Sequence, residues 1–380
     1  MRLVTVNSGS TSIKLAAFEA IAGTAHAGAR LHRLAAVHHE GTHLEPAVEL
    51  RAFLAQLPGP PAALVHRVVH GADRFTHPVR IDDAVRAGIG ELAALAPLHN
   101  PLALRWIDAA RELCDRSVVQ VAAFDTAYFA SLPRVAAEYA LPPALGWDAG
   151  VRRYGFHGLA HEAMWRRWCE LNPALENGGR LISLQLGGGC SITARDQDGL
   201  RDTSMGFSPL EGLVMASRCG DIDAAVVPYL AERRKCTPAR LIESFNREAG
   251  LLGLGGASSA SELLAAGGER AERAIELYCY RIRKYIGAYL TVLGGCDGIV
   301  FGGGVGEHVP QIRARVLAGL RFAGVEIDAA ANAAAVGRDG RISTEQSAIA
   351  AWTVCVAEEP LLVRAALSVL GGSAHAQPVR

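Results

Sequence analysis

The chain has 380 residues, of which half are hydrophobic and a fifth are charged, and its formal net charge is zero. This length favours two domains, each large enough to bury a core of its own. A balanced charge gives no indication of nucleic acid or an anionic membrane surface as a partner. No apolar stretch is long enough to span a membrane. We therefore expect neither a nucleic-acid nor a membrane partner.

Cysteine usage bears on the compartment. Eight cysteines are scattered along the chain without a CxxC pair, which argues against zinc ribbons and disulfide frameworks and favours a reducing environment. The first residues run into a predicted strand and lack the charged region and long apolar core of a signal peptide. We expect a cytoplasmic protein.

The first motif is Val4–Phe18, in which a β-branched run enters a turn of small residues and an alternating apolar run leaves it. This pattern predicts strand, tight turn and strand. The backbone N–H groups and hydroxyls of such a turn suit phosphate oxygens. An ordinary hairpin with a serine-rich turn is the alternative, because serine and glycine are common in turns.

A second copy of this pattern lies at Leu181–Ala194, where Ser191-Ile192 matches Ser12-Ile13. Two such hairpins, one opening each half of the chain, indicate two related domains that hold phosphates from opposite sides of a cleft. The chain contains neither a GxxxxGK[ST] P-loop nor the GxGxxG spacing of a dinucleotide-binding fold.

Residues 19–50 are predicted to be an insertion of loops and short strands. Within them, His38–His43 lacks the helical spacing of a zinc motif, so we interpret it as a solvated loop. Further on, Ala62–Gly71 is apolar enough to be a buried strand. Arg67 in its middle then needs either an anionic protein partner or a ligand.

A turn at 95–101 leads into a helix predicted from about 102 to 114. The next strand, Val118–Phe124, ends at Asp125. A carboxylate at the carboxyl end of a strand suits a metal or acid/base position, and a helix N-cap is the equal alternative.

Residues 133–150 are predicted to cross into the second domain. His157 and His161 follow, but Gly158 weakens any helix there, so we expect one phosphate-facing and one structural histidine rather than a metal pair. The long apolar segment Asp202–Asp223 is irregular and holds a lone Arg218 among small residues. Such a loop is typical of a functional site.

The last third of the chain is predicted to hold a helix over 262–293, broken at Gly267-Gly268, and then a strand over Gly298–Phe301. That strand delivers Gly302–Glu307 to a helix starting near Val309, a combination that suits a nucleotide or phosphate. A strand over Trp352–Ala357 stops at Glu358, and a helix over 360–370 precedes a disordered tail.

These motifs together resemble the acetate kinase family of acyl-phosphate-forming kinases, part of the sugar kinase, heat-shock ATPase and actin superfamily. The matching stretches occur in the family's order and are Asn7–Lys14, His66–Gly71, Ala96–Pro101, Phe124–Ala127, Tyr154–Gly158, Ser204–Asp223, Gly302–Glu307 and Glu358–Glu359.

The resemblance implies an α/β fold of two duplicated ribonuclease-H-like domains, the actin-like ATPase fold, with the active site in the interdomain cleft. The first domain would comprise residues 1–126 and a returning C-terminal helix in 359–380. Residues 127–358 would form the nucleotide-binding second domain.

The resemblance also assigns residues to roles. Asp125, Arg67, His157 and Arg218 would be catalytic: the arginines flank the transferring phosphoryl group, His157 hydrogen-bonds it, and Asp125 acts as acid/base and orders the metal. The acyl group would be bound by Arg67, Val69, Leu98, Phe156 and Pro209. Mg²⁺, or Mn²⁺ in its place, would be held by Asn7 and Glu358.

The ATP or ADP co-substrate would be bound by residues of both hairpins and of the second glycine turn. They are Ser10, Ser12, Lys14, Gln185, Gly187, Gly188, Gly189, Gly304, Val305, Gly306, Glu307 and His308. The chain departs from the family on this side, with Gln185, Gly188, Cys190, Ala260, Glu262, His308 and Ala357 in place of its usual residues.

The predicted function is Mg²⁺-dependent, reversible transfer of a phosphoryl group from ATP to acetate, giving acetyl phosphate and ADP, by an enzyme expected to be a homodimer. A short-chain acyl kinase that uses propionate, or another donor such as GTP or pyrophosphate, is the first alternative. A nucleotide-binding switch without turnover is the second.

Overall fold

The computed structural model describes residues 1–9, 12–21, 30–41, 44–97 and 99–371. The chain folds as two compact units. The first comprises Met1–Ala130 and the described residues from Ala357 onward, and the second comprises Ser131–Val356. The predicted domain boundaries, after residues 126 and 358, stay a prediction. The predicted tail after residue 370 falls almost wholly on 372–380, outside the described residues.

Twelve strands form two six-stranded sheets in the described part of the chain. Those of the first unit are β1 (Arg2–Ser8), β2 (Ser12–Ile21), β3 (Arg30–Glu40), β4 (Ala63–Val68), β5 (Val79–Arg80) and β6 (Val119–Phe124). Those of the second are β7 (Leu181–Leu186), β8 (Cys190–Asp196), β9 (Gly199–Thr203), β10 (Gly298–Gly302), β11 (Gly340–Arg341) and β12 (Ala350–Thr353).

Fourteen α-helices accompany these strands in the described residues. They are α1 (Pro46–Leu54), α2 (Asp83–Glu91), α3 (Asn100–Leu113), α4 (Arg134–Ala137), α5 (Gly158–Leu171), α6 (Val226–Arg234), α7 (Pro238–Arg247), α8 (Gly250–Gly255), α9 (Ala260–Ala266), α10 (Gly268–Val292), α11 (Gly303–His308), α12 (Pro310–Ala318), α13 (Ala329–Ala334) and α14 (Glu359–Leu370). None of these helices is both long and apolar enough to cross a membrane.

The two sheets have the same topology. The first has the strand order β3-β2-β1-β4-β6-β5, and the second, read from its other edge, has β9-β8-β7-β10-β12-β11. In each, three antiparallel strands begin the sheet, two parallel strands continue it, and a short antiparallel strand closes it. The duplication indicated by the two hairpins is therefore present in the fold.

Strand alternation decides which side chains of the first unit face which helices. Val4, Val6 and Leu64 join Phe53 of α1 and Trp106 of α3 in one core cluster on one face of the sheet. Successive side chains of a strand point to opposite faces. Asn7 of β1 and Arg67 of β4 therefore point to the other face, where α14 packs against β1, β4 and β6.

In the second unit, α5 covers one face of the sheet. Met164 and Trp168 of α5 pack with Leu181, Val300 and Val354. Ser183, two residues after Leu181 on β7, lies on this same face because strand side chains repeat with period 2.

Several local predictions are wrong. The described residues of 19–50 are not mainly loops and short strands, because β2 runs to Ile21, β3 has 11 residues and α1 begins at Pro46; residues 22–29 lie outside the described residues. His38 and His39 lie in β3 rather than in a solvated loop; residues 42 and 43 of that segment lie outside the described residues. The His39 Nε2 atom is 3.3 Å from a carboxylate oxygen of Glu49.

Near the second glycine turn, the helix expected to start near Val309 is present as α12, which begins at Pro310, and the short helix α11 precedes it. β12 ends at Thr353 rather than at Ala357. The Val354 N–H still donates to the Phe301 carbonyl of β10, but the next two amides leave the ladder: the Cys355 N–H donates to Asp339 and the Val356 N–H donates to Glu307.

Candidate active site

In the first unit, the predicted catalytic and metal-binding residues form one hydrogen-bonded group around Arg67. Arg67 donates from Nε and Nη2 to the Asp125 carboxylate, at 3.0 Å to Oδ1 and 2.6 Å to Oδ2. Its Nη1 donates to Asn7 Oδ1 at 3.1 Å and lies 3.5 Å from Glu358 Oε2. Asn7 in turn donates from Nδ2 to Glu358 Oε2 at 2.7 Å.

The position of this group follows from the fold. β1 and β4 are parallel neighbours and bring Asn7 and Arg67 to the same end of the sheet, while β6 ends at Asp125 beside them. Glu358 directly precedes α14, which packs on that face. Of the two alternatives for the buried Arg67, an anionic protein partner or a ligand, the structure shows the protein partners Asp125 and Glu358.

The electrostatics of the group are dominated by its carboxylates. Burial by itself lowers the pKa of Arg67, but the negative charges of Asp125 and Glu358 outweigh it and raise that pKa. Two carboxylates face one guanidinium, and Asp125 is only 1% exposed. Nearby, Lys14 Nζ is 4.0 Å from Glu359 Oε1, with the lysine side chain 45% exposed.

The oxygen atoms of Asn7 and Glu358 fit a magnesium ion whose remaining ligands come from water and substrate phosphates. Asn7 and Glu358 offer oxygen ligands, which Mg²⁺ prefers, and the excess of negative charge attracts a cation. Among the described residues, no group of three or more His, Cys, Asp or Glu side chains could hold a metal ion by itself. Mg²⁺ usually keeps several waters and binds through one or two carboxylates together with phosphates.

The remaining predicted residues of the first unit are only partly described. Ser10 and Leu98 lie outside the described residues. Ser12 begins β2, and its backbone carbonyl accepts a hydrogen bond from the Gly9 N–H at 2.9 Å. Val69, directly after β4, is buried.

In the second unit, the structure brings His157, Arg218 and Gly189 together. A Cβ atom built on Gly189 would lie 3.2 Å from His157 Nε2 and 3.5 Å from Arg218 Nη1. His157 immediately precedes α5 and has a left-handed φ of 58°, an uncommon conformation for a residue with a side chain. Its Nδ1 atom lies 2.8 Å from the Ser191 hydroxyl.

Arg218 differs from Arg67 because its charge is not balanced. Its Nη1 donates to the Pro209 carbonyl at 3.2 Å and lies 3.8 Å from the sulfur of Met215. Within the described part of the chain, no carboxylate lies within ion-pair distance of it, and the residue is 8% exposed. Burial lowers the pKa of Arg218. A buried guanidinium that lacks a paired carboxylate is typical of a site that binds an anion.

Two glycine segments of the second unit lie side by side. A Cβ on Gly187 would be 3.9 Å from the Gly304 nitrogen, whereas a Cβ on Gly304 would meet nothing within 4 Å. Gly303 has φ 76°, and a Cβ there would lie 2.6 Å from the Leu186 carbonyl oxygen. The two predicted nucleotide-binding turns are thus adjacent, with open space in front of Gly304.

The side chains of these turns have mixed environments. Glu307 Oε1 accepts hydrogen bonds from the Gly303 and Val356 N–H groups, so this oxygen supports the turn itself. Gln185 Oε1 is buried and has no hydrogen-bond partner within the described residues. An unpaired buried acceptor of this kind is costly unless a ligand satisfies it.

The residues predicted for the acyl group are divided between the units. Val69 belongs to the first unit, while Phe156 and Pro209 belong to the second. Phe156 is 1% exposed. Pro209 contributes its carbonyl oxygen to Arg218, as described above.

Sequence reasoning missed residues that support the site. Ser191 contacts both His157 and His161, and the match of Ser191-Ile192 to Ser12-Ile13 was the available signal. Arg153 and Tyr139 both donate hydrogen bonds to Glu211 in the irregular segment. The hydroxyl of Tyr139 also accepts from the Phe207 N–H at 2.8 Å. No local pattern indicated this last network.

Comparison with known proteins identifies the class. The model of the Acetokinase family matches residues 49–364. The acetate kinase of Solibacter usitatus is 42% identical over 318 residues, which cover 82% of this chain and 77% of that protein. The crystal structure of Porphyromonas gingivalis acetate kinase superposes with a TM-score of 0.83 at 33% identity, covering 97% of this chain and 99% of that one.

A propionate kinase from Francisella tularensis superposes equally well, with a TM-score of 0.83 at 30% identity over 96% of this chain and 98% of that one. Duplicated sheets and these neighbours define a phosphotransferase of the actin-like ATPase fold. The chain belongs to the acetokinase family. The predicted family, fold class and acetate kinase function are thereby confirmed.

Proposed function

We propose that the chain transfers the γ-phosphoryl group of ATP to the carboxylate of acetate, with Mg²⁺, in a direct and reversible step. The observation that carries the mechanism is Arg218, a buried guanidinium that has no counter-ion among the described residues and lies beside His157 and the Gly187–Gly189 turn. Three equatorial oxygens of a transferring phosphoryl group supply the negative charge that such a site lacks.

In the proposed reaction, an acetate oxygen forms a bond to the γ-phosphorus while the bond from that phosphorus to the β,γ-bridging oxygen breaks. ADP leaves with the electron pair, and no proton has to move because acetate is already an anion. Arg218 and His157 donate hydrogen bonds to the phosphoryl oxygens, whose charge is greatest in the transition state.

The first unit would serve the acceptor and the metal. Asn7 and Glu358 would hold Mg²⁺, which neutralises charge on the donor phosphates. Arg67 would bind the carboxylate or the phosphoryl group. Since both oxygens of Asp125 accept hydrogen bonds from Arg67, we assign Asp125 to positioning that guanidinium and ordering the metal, with proton transfer unnecessary.

The donor would be bound by the glycine turns of the second unit and by Ser10, Ser12 and Lys14 of the first hairpin. The adenosine end departs from the family, because Ala260 and Glu262, at the start of α9, replace its usual residues. Ala260 is 1% exposed, and the Glu262 N–H donates to the capping Ser259 hydroxyl. Neither contact supplies a nucleoside ligand.

The acyl pocket would take a small group, with Val69 limiting its size. One additional methylene changes binding by only about 1–3 kcal/mol. We therefore expect acetate to be the better substrate and propionate to be used to a modest extent. The predicted homodimer and the predicted cytoplasmic location stay predictions.

The experiment is trapping of acetyl phosphate with hydroxylamine, in the presence of acetate and Mg²⁺ and with ATP, GTP or pyrophosphate in turn. Strong product with ATP supports the proposal. Product only with GTP or pyrophosphate would replace the donor and keep the acyl chemistry. Absence of product with every donor, from folded protein, would overturn the proposal.

The Arg218→Ala variant tests the residue that carries the argument. We expect its kcat to fall by roughly 10³- to 10⁵-fold, the magnitude associated with an arginine that stabilises a transferring phosphoryl group. The matched control is Arg234→Ala, an exposed arginine of α6, which should retain wild-type kcat. A nucleotide-binding switch would be indifferent to both changes.

A further inference from the structure

Four side chains of the second unit form a continuous hydrogen-bonded row. Ser183 Oγ lies 2.8 Å from His161 Nδ1, and His161 Nε2 lies 2.8 Å from Ser191 Oγ. Ser191 Oγ lies 2.8 Å from His157 Nδ1. The residues come from β7, α5, β8 and the residue before α5, so the row runs across the face of the sheet that α5 covers.

His161 is a neutral member of this row. It is 1% exposed, and burial lowers its pKa to about 3. A neutral imidazole has one N–H donor and one acceptor nitrogen, so His161 donates to one serine and accepts from the other. Ser191 is 0% exposed, and the two histidines are the side-chain partners of its hydroxyl among the described residues, so its proton points to one of them. Two directions of the whole row are then left.

Hydrogen-bond accounting selects between the two directions. In the first direction, His157 Nδ1–H donates to Ser191, Ser191 donates to His161 Nε2, and His161 Nδ1–H donates to Ser183. The hydroxyl proton of Ser183 then has no acceptor in the row. Ser183 is 4% exposed, and His161 is the one side-chain partner of its hydroxyl among the described residues. An unsatisfied buried donor is costly. In the opposite direction, Ser183 donates to His161, His161 to Ser191, and Ser191 to His157 Nδ1, and every donor has an acceptor.

This direction determines the state of His157. Its Nδ1 is then an acceptor, so the proton of the neutral ring is on Nε2. The Nε2 edge faces the glycine turn, since a Cβ on Gly189 would lie 3.2 Å from it, with Arg218 Nη1 on the same side. An uncharged His157 would thus present an N–H group to the place proposed for the phosphoryl oxygens.

We propose that Ser183, His161 and Ser191 are positioning residues that fix the proton of His157 on Nε2, so that a neutral His157 donates a hydrogen bond to the transferring phosphoryl group. This inference rests on the proposed function and deepens it, because it gives Ser183, His161 and Ser191 a role at the phosphoryl site.

Three charged or titratable groups lie near the row on the second unit. Arg218 lies on the same side of Gly189 as His157, Cys190 precedes Ser191 on β8 with its thiol 3.3 Å from the Tyr278 hydroxyl, and His161 lies on α5. Burial lowers the pKa of Arg218, raises the pKa of the Cys190 thiol and lowers that of His161 to about 3. Because these groups are the same in the wild type and in variants of Ser191 and Thr193, a comparison of these proteins at one pH isolates the effect of the Ser191 hydroxyl.

The direct experiment is ¹⁵N NMR of the imidazole rings in the full-length protein at pH 8 without substrate, with His157 assigned by comparison with a His157→Gln variant. We expect the His157 proton on Nε2. A proton on Nδ1 would overturn the inference. Because no turnover is needed, this result stands even if the proposed function fails.

The kinetic experiment compares Ser191→Ala with Thr193→Val at pH 6 and pH 8. Thr193 is two residues along β8 on the same face, and its hydroxyl bonds Thr203 rather than a histidine. At pH 8 we expect Ser191→Ala to lose roughly tenfold or more in kcat, as for a broken buried hydrogen bond. At pH 6 the loss should be smaller, since an imidazolium carries the Nε2 proton without Ser191.

Thr193→Val should show the same activity relative to wild type at both pH values. Ser191→Thr, which keeps the hydroxyl, should recover most of the lost rate. A Ser191→Ala defect of equal size at both pH values would mean that Ser191 has a merely structural role, and it would contradict the proposed role of the row.

Discussion

Arg67 and Arg218 are both buried arginines, but their electrostatic surroundings are opposite. Arg67 is paired with Asp125 and lies 3.5 Å from Glu358, whereas Arg218 contacts a carbonyl oxygen and a sulfur. Removing one partner of a buried ion pair leaves the other charge buried and unpaired. Removing a buried charge without a partner removes a desolvation cost instead.

This contrast predicts opposite effects on stability. We expect Arg67→Met to lower the free energy of unfolding by about 3–5 kcal/mol, the usual effect of breaking a buried pair. Arg218→Met, which keeps the aliphatic stem, should leave stability unchanged or raise it. Both variants should lose kinase activity.

Urea denaturation at pH 7, followed by circular dichroism, measures both variants against the wild type. Equal destabilisation by the two substitutions would show that Arg218 has a structural counter-ion, which contradicts its assignment as an anion site. If adding Asp125→Asn to Arg67→Met restores the free energy of unfolding, the unpaired Asp125 carboxylate is the cause of the lost stability.

At the scale of elements, the irregular segment around Arg218 is closed at its base by Asp221. The Asp221 N–H donates to the Gly212 carbonyl at 3.0 Å, and Asp221 Oδ1 accepts from the Gly212 N–H at 2.8 Å. Tyr285 of α10 donates its hydroxyl to the same carboxylate at 2.9 Å. We call these contacts of Asp221 with Gly212 and Tyr285 the clamp. Arg218 lies between Gly212 and Asp221 in the chain, so the clamp fixes the segment that carries Arg218.

Opening this clamp should reduce catalysis without touching the substrate. We expect Asp221→Ala to lower kcat by roughly ten- to hundredfold, since a displacement of about 1 Å of a catalytic group costs that much. Asp223→Ala is the control: its exposed carboxylate accepts from the Ala225 N–H, and the change should stay within about twofold. Steady-state kinetics with acetate and ATP measure both variants, and wild-type kcat in Asp221→Ala would contradict the clamp.

The two sheets share a topology but not a chemistry. Val6 pairs with His66 in the first, and Leu184 pairs with Phe301 in the second. β4, which carries Arg67, and β10, which ends at Gly302, occupy the same place in their sheets. A Cβ on Gly302 would lie 2.5 Å from Val356 and 2.7 Å from the sulfur of Met164, so a side chain is excluded there. The duplicated fold thus carries a charged group in one copy and bare backbone in the other.

Local patterns were sufficient for the elements with strong periodicity. Both hairpins, the buried strand with Arg67 and the break at Gly267-Gly268 appear where the sequence predicted them. β3 was missed because its alternation is weak: many of its residues are exposed or half-buried, as in an edge strand. The family resemblance, rather than any local pattern, assigned roles to His157 and Glu358.

The partners of the site residues were beyond local reasoning. Arg67 and Asp125 are 58 residues apart, and Asn7 and Glu358 are 351 apart. Such contacts depend on which strands become neighbours and on where α14 packs. The row through Ser183, His161 and Ser191 likewise needs α5 to lie over β7 and β8, which no single segment encodes.

For the whole molecule, the relevant feature is a buried neutral histidine in each unit. His66 of β4 is 1% exposed, and its Nε2 lies 3.1 Å from Gln120 Oε1. Burial lowers the pKa of His66 to about 4, with the Gln120 hydrogen bond acting in the opposite direction. His161 in the second unit has its pKa lowered to about 3. Both side chains take up a proton on unfolding in mild acid.

The sign of the pH dependence follows from this difference. A histidine in the unfolded chain titrates near pH 6.5, so between pH 6.5 and about 4 the unfolded state binds more protons than the folded state. Stability then rises with pH in this window and is level above it. At pH 5.5 each histidine should lower the free energy of unfolding by about 1.4 kcal/mol relative to pH 8, and the two together by about 3 kcal/mol.

We expect urea midpoints to fall between pH 7 and pH 5.5, and His66→Gln to remove about half of that fall because glutamine carries no titrating proton. The control is His32→Gln, an exposed histidine of β3, which should keep the wild-type dependence because water solvates its side chain in both states. A pH dependence in His66→Gln as steep as in the wild type would contradict the role of His66.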